Sequence, residues 1–139
     1  MAIYYHTEDC KYNLRNKRRV SRWIADTAAE EGKAAGDISI VLCSDKYILD
    51  INKKHLQHDY YTDIITFDYS EGDTISGDLF ISVDTVAANS AKYGITVGEE
   101  LMRVIIHGIL HLCGYKDKKV EEEKEMRAKE NHYLAKRQF

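Results

Sequence analysis

Hydrophobic and polar positions follow two rhythms in this chain, and each change of rhythm marks an element. Between residues 16 and 31, Val20, Trp23, Ile24, Thr27 and Ala28 recur at i, i+3, i+4, i+7 and i+8. That spacing forms one helical stripe turned to a core. Arg15, Arg18, Arg19 and Arg22 fall on the opposite face, and Gly32 supplies a stop. Residues 3–6 read as a short edge strand and 37–43 as a second strand. Ser44 then caps a short helix over 45–55. The β-branched and aromatic runs at 62–69 and 78–83 predict two strands. Their short connection predicts an antiparallel hairpin. A helix over 84–93 stops near Gly94. Thr96 and Glu99 have the spacing of a capping box. The long apolar helix they open runs to about Cys113, where Gly114 reverses the chain. A polar helix over 119–136 closes the sequence.

Strands and helices mix here without a strict βαβ alternation. The expected fold is α+β, with a small mixed sheet packed with helices. The 139 residues suit a single domain spanning 1–139, with no repeat or linker to divide it. No run approaches the roughly 18 apolar residues of a membrane span. The first residues lack the basic start and apolar run of a signal peptide. A soluble, cytoplasmic protein with no membrane partner is the expectation. Cys10, Cys43 and Cys113 are odd in number and widely spaced. They argue against a disulfide framework or a thiolate zinc knuckle. The net charge of −3 means that any RNA contact needs a local basic patch. The arginines at 15, 18, 19 and 22 are candidates for one. A solvated helix face is the preferred reading of them.

The chemistry concentrates in the long helix. His107 and His111 lie one turn apart on one face, so two imidazoles can converge on one metal ion. Gly114 follows three residues on, and Asp117 three after that. The spacing H-x-x-x-H-x-x-G-x-x-D has the metzincin form, in which a glycine turn returns a third ligand to the histidines. Two imidazoles and one carboxylate leave a coordination position open, as in catalytic zinc sites. The same set suits non-haem iron(II). One zinc ion per chain, held by His107, His111 and Asp117, is the expected cofactor. In HExxH peptidases a glutamate follows the first histidine and acts as the general base. Gly108 stands there instead, which disfavours a peptidase. Cys113, about 200° round the helix from His111, should point away from the metal. His6, His55, His58 and His132 have no ligand spacing to the box.

At these residues the chain resembles the YbeY family, the single-strand endoribonucleases of bacterial ribosomal RNA maturation. The family box reads H-G-x-L-H-L-x-G-Y-D-H. The chain follows it from His107 through Tyr115 and departs at Lys116 and Asp117. Met126 and Glu130 keep the register downstream. Upstream, Asn52, the stretch Asp59 to Phe67 and the stretch Gly77 to Ser82 resemble the family's other two blocks.

The resemblance implies a zinc-dependent hydrolase of RNA phosphodiester bonds. Its expected partners are single-stranded RNA, ribosomal RNA in the small ribosomal subunit, and a ribosomal protein or GTPase. The implied roles are maturation of the 16S rRNA 3′ end and ribosome quality control. Asp117 stands where the family has its third histidine. It makes the site more negative, and Lys116 and Lys118 are placed to offset that charge. Leu56 stands where the family has an arginine suited to clamp the scissile phosphate. Lys53, Lys54 and Arg103 are the candidate replacements, and Asp63 is a candidate positioning residue. A ribosome assembly factor that binds RNA or a ribosomal protein with little or no cleavage is the alternative reading.

Overall fold

The structure is a computed structural model and describes residues 2–55 and 62–139. Nine elements follow in chain order: β1 (Ala2–Glu8), α1 (Lys17–Glu30), β2 (Ala34–Cys43), α2 (Asp45–His55), β3 (Ile64–Asp68), β4 (Thr74–Ser82), α3 (Val83–Tyr93), α4 (Val97–Leu112) and α5 (Val120–Leu134). The sheet order is β1-β2-β4-β3. β1, β2 and β4 run parallel, and β3 returns antiparallel to β4 as a hairpin. The expected α+β architecture with one mixed sheet is therefore present, and β1 is an edge strand.

The predicted stripe on α1 is the buried one: Val20, Trp23, Ile24, Thr27 and Ala28 all face inward. Trp23 Nε1 donates to the Tyr133 carbonyl at 2.9 Å, which ties α1 to α5. Arg15 lies outside the helix, before Asn16 in left-handed backbone, so it does not share the exposed face of Arg18, Arg19 and Arg22. Side chains alternate across the central strands, as the pleat requires. Ile38, Ile40, Leu42, Leu79 and Ile81 join the main core with α1 and α4. Cys43, Ile65, Phe67 and Phe80 pack on the other face with Ile48 of α2.

β4 begins at Thr74, earlier than the apolar run suggested, because Thr74, Ile75 and Gly77 pair with β2 and Gly77 also pairs with Asp68 of β3. Gly77 makes that approach feasible. A Cβ there would sit 2.3 Å from the Phe67 carbonyl oxygen. β3 is shorter than the 62–69 expected, spanning Ile64–Asp68. At the start of α4 only half of the expected capping box forms: the Thr96 hydroxyl accepts from the Glu99 amide at 3.1 Å. All three cysteines are free thiols. Among the described residues no helix is long and apolar enough to cross a membrane.

Candidate metal centre

α4 is the central helix, and its inner face is buried almost end to end, from Leu101 through Leu112. Such burial fixes its rotation, so the histidine face is aimed by the packing behind it. Gly108 lets the helix lie close to the sheet. A Cβ on it would meet Ile64 Cδ1 at 2.8 Å and both Leu79 Cδ atoms at 3.0 Å. The position that carries a glutamate in HExxH peptidases thus faces the β3–β4 hairpin here and has no room for a side chain.

α4 ends in a tight reversal. The Tyr115 amide bonds back to the Leu110 carbonyl at 3.1 Å and the Gly114 amide to the His111 carbonyl at 3.0 Å. Gly114 has φ +107°, a value that side-chain-bearing residues rarely adopt. The reversal returns Asp117 to the two histidines. His107 Nε2 and His111 Nε2 are 3.0 Å apart. Asp117 Oδ2 lies 3.1 Å from the first and 3.4 Å from the second. A tetrahedral zinc site with Zn–N of about 2.1 Å has ligand–ligand edges of roughly 3.4 Å. The triangle is that of a metal-ligand face, slightly contracted.

The outer nitrogens set the tautomers. His107 Nδ1 is 2.6 Å from Glu130 Oε2, and His111 Nδ1 is 2.9 Å from the Tyr115 carbonyl oxygen. Both acceptors require Nδ1–H, which leaves each Nε2 with its lone pair facing inward. Among the described residues, His107, His111 and Asp117 form the single group of three or more His, Cys, Asp or Glu placed to hold a metal ion. This donor set fits a divalent cation.

The triangle opens on a cleft of about 540 Å³, lined also by Thr62, Asp63, Ile64, Thr66, Asp68, Tyr115 and Lys116. The pleat of β3 explains the contribution of Ile64, Thr66 and Asp68 at every second residue. Burial pushes the Asp63 carboxyl above the ordinary range, and the nearby His107 offsets only part of that. Burial alone would lower His107, but the hydrogen bond and charge of Glu130, with Asp117 and Asp63, bring it above its usual value. Burial would raise Glu130, yet His107 and Arg103 hold it below the carboxylate range.

The remaining candidates fall in different places. Arg103 does not enter the cleft: its guanidinium donates to Glu130 Oε1 and Asn131 Oδ1, each at 2.8 Å. It stands behind His107 because Glu130 lies between them. Lys53 and Lys54, on the exposed last turn of α2, do not line the cleft, and neither does Lys118. Lys116 does. Arg15, Arg18, Arg19 and Arg22 contribute nothing to its wall. Leu56, His58 and Asp59 to Tyr61 lie outside the described residues. Cys113 also lies outside the cleft wall, in a shallow depression with Glu31, and burial raises its thiol to about 11. His6 stacks on Tyr4, His55 meets Phe67 edge-on, and His132 pairs with Glu30. Glu130 was legible in the sequence only as a register match. The bond that gives it a role joins residues 23 apart on two helices.

Fold and site together define a small α+β protein with a two-histidine, one-carboxylate centre at the end of a buried helix. The family described as Endoribonuclease YbeY matches residues 2–138, and this chain belongs to that family. It is similar to the Endoribonuclease YbeY of Bacteroides thetaiotaomicron, with 53% identity over 99% of this chain and 100% of that one. The Parabacteroides distasonis protein of the same name is 55% identical over 97% and 95% of the two chains. Among solved structures, the solution structure of a Thermotoga maritima protein aligns with a TM-score of 0.68 and 26% identity. It covers 96% of this chain and 87% of that one.

Proposed function

We propose that this chain is a zinc-dependent endoribonuclease that cuts single-stranded RNA. Its setting is ribosomal RNA processing, at the 3′ end of 16S rRNA and in ribosome quality control. The observation that carries the chemistry is the convergence of His107 Nε2, His111 Nε2 and Asp117 Oδ2 within 3.0–3.4 Å on the wall of an open cleft. Family membership supplies RNA as the substrate class. When bound by these three residues, a zinc ion supplies Lewis acidity that activates water near neutral pH and offsets phosphate charge.

The chain's own residues do the rest. His107 and His111 keep their tautomers through Glu130 and the Tyr115 carbonyl. Lys116, exposed on the cleft wall, attracts the phosphate backbone and balances the extra negative charge of Asp117. Thr62 and Thr66 line the same wall, the Thr62 hydroxyl donating to the Ile64 carbonyl at 3.3 Å, and are polar residues of a kind that meets phosphate or ribose oxygens. Asp63, its carboxyl raised by burial, stands on the same wall as the candidate positioning residue.

The test is digestion of a single-stranded RNA by the wild-type protein and His111→Ala, each with and without a chelator. Cleavage that needs both the histidine and the metal supports the reading. Cleavage by His111→Ala at the wild-type rate sinks it. One observation favours a second reading, an assembly factor that binds with little or no cleavage. Arg103, a candidate for the missing family arginine, is held by Glu130 and Asn131. Stoichiometric RNA binding without product in the same assay is its signature. The cytoplasm is the compartment that this role requires.

A further inference from the structure

We infer that Glu31, at the end of α1, is a positioning residue for the metal centre and acts through Tyr115. This rests on the proposed three-ligand site. Glu31 is the C-cap residue of α1, and its side chain is only 11% exposed. A carboxylate so buried is costly unless donors surround it, and here three do. The Tyr115 hydroxyl donates to Oε1 at 2.6 Å, the Tyr133 hydroxyl donates to Oε2, and Lys129 Nζ lies 3.4 Å from Oε2. Lys129 also sits over the Tyr115 ring, 5.7 Å from its centroid. These donors outweigh burial and keep the Glu31 carboxyl below its ordinary range.

Tyr115 is the residue through which this cluster meets the site. Its backbone amide closes the reversal after α4 on Leu110, and its carbonyl oxygen receives His111 Nδ1–H at 2.9 Å. It also stands in the four-residue turn from Gly114 to Asp117, so its placement sets where the carboxylate ligand returns. Anchoring the phenol on Glu31 therefore fixes one histidine tautomer and the reach of the third ligand together. The other histidine is held by Glu130 of α5. Each imidazole is thus oriented by a different glutamate, one directly and one through a tyrosine backbone.

A tyrosine outside this cluster separates positioning from simple packing. Tyr115 leads from Glu31 to the candidate ligands, whereas the Tyr5 hydroxyl bonds Ser21 Oγ of α1 at 2.7 Å, away from the Glu31 cluster. The experiment measures zinc affinity by chelator competition, and the ligand-field spectrum of cobalt-substituted protein, without any RNA. The proteins are wild type, Glu31→Gln, Tyr115→Phe, the double variant and Tyr5→Phe, each with its metal-free melting temperature. Loss of an outer-shell partner typically weakens a metal site by about tenfold to a hundredfold. Glu31→Gln and Tyr115→Phe should each weaken zinc by about tenfold and shift the cobalt spectrum, and the double variant should fall no further. Tyr5→Phe should lower the melting temperature but keep wild-type affinity and spectrum.

Affinities within twofold of wild type for Glu31→Gln and Tyr115→Phe overturn the inference while leaving the centre intact. An equal loss in Tyr5→Phe also overturns it, because the effect is then general loosening. Wild-type protein that binds no zinc overturns the centre, and this inference with it.

Discussion

Glu130 Oε2 lies 2.6 Å from His107 Nδ1, joining α5 to α4 behind the candidate metal centre. The other oxygen of the same carboxylate receives Arg103 Nη1 at 2.8 Å. One buried carboxylate thus orients a candidate ligand and pairs with the arginine beside it. Arg103 is bonded to Glu130 and Asn131, so part of the site's charge balance lies behind the cleft wall.

Removing that carboxylate should have two separable effects. Glu130→Ala leaves Arg103 and His107 without their shared partner, at a cost of about 3 kcal/mol in the metal-free protein. Urea unfolding monitored by circular dichroism reads that loss. Glu130→Gln keeps the shape but weakens the pull on Nδ1–H, and zinc affinity should fall by about tenfold. Unchanged zinc affinity in both variants would falsify the orienting role.

The third ligand can be tested by metal content. Asp117→Ala should lose most of its metal, and Asp117→His, which restores the family residue, should keep about one zinc per chain. Mass spectrometry of the proteins purified side by side gives the ratio. Equal metal in wild type and Asp117→Ala shows that the carboxylate never joins the site.

The raised pKa of His107 gives opposite pH slopes with and without metal. In the metal-free protein, protonated His107 is favoured by folding. The stability it contributes is full below the unfolded value of about 6.5. It is lost as pH rises through the higher folded value, at no more than about 1.4 kcal/mol per pH unit. Zinc needs the neutral imidazole, so zinc affinity should rise through that same interval. Glu130, held below its usual range, contributes stability that is lost only as pH falls through its folded value. Thermal melts from pH 5 to 8, with zinc and with chelator, should therefore diverge as pH rises. Parallel curves count against the His107–Glu130 pair.

Gly108 tests whether the helix is seated as described. Alanine in an exposed helix normally gains about 1 kcal/mol over glycine. Here its Cβ meets three methyl carbons at 2.8–3.0 Å, and overpacking costs about 1–3 kcal/mol. Gly108→Ala should be destabilised by about 1 kcal/mol, since the Ile64 methyl can yield toward the cleft. A stabilised variant places the helix farther from the hairpin.

Two sets of cations compete as the RNA track. Lys116→Ala should lower single-stranded RNA affinity and reduce the slope of log affinity against log salt by about 0.7. The Arg19→Ala/Arg22→Ala double variant should leave both unchanged, because neither residue lines the cleft. A drop in slope of about 1.4 in the double variant instead extends the track onto α1. Fluorescence anisotropy across a salt series distinguishes the two.

Local physics made most of the elements and the ligand triad readable in the sequence. The α1 stripe, the Ser44 cap, the β3–β4 hairpin and the glycine stop at Gly114 follow from spacing and backbone tolerance over a few residues. His107, His111 and Asp117 span 11 residues of one helix and one turn, so their convergence was already a local property. What lay beyond reach was long-range. Glu130 on His107, Glu31 on Tyr115, the burial of Asp63 and the capture of Arg103 all join elements whose approach is set by packing across the domain. The early start of β4 is the same case, since pairing with β2 carries the strand through Ser76 and Gly77, which are weak strand formers, back to Thr74. The sequence by itself determined which atoms can bind a metal. Only the tertiary structure decided which tautomers they hold and what charge surrounds them, because those depend on partners that no short-range pattern encodes.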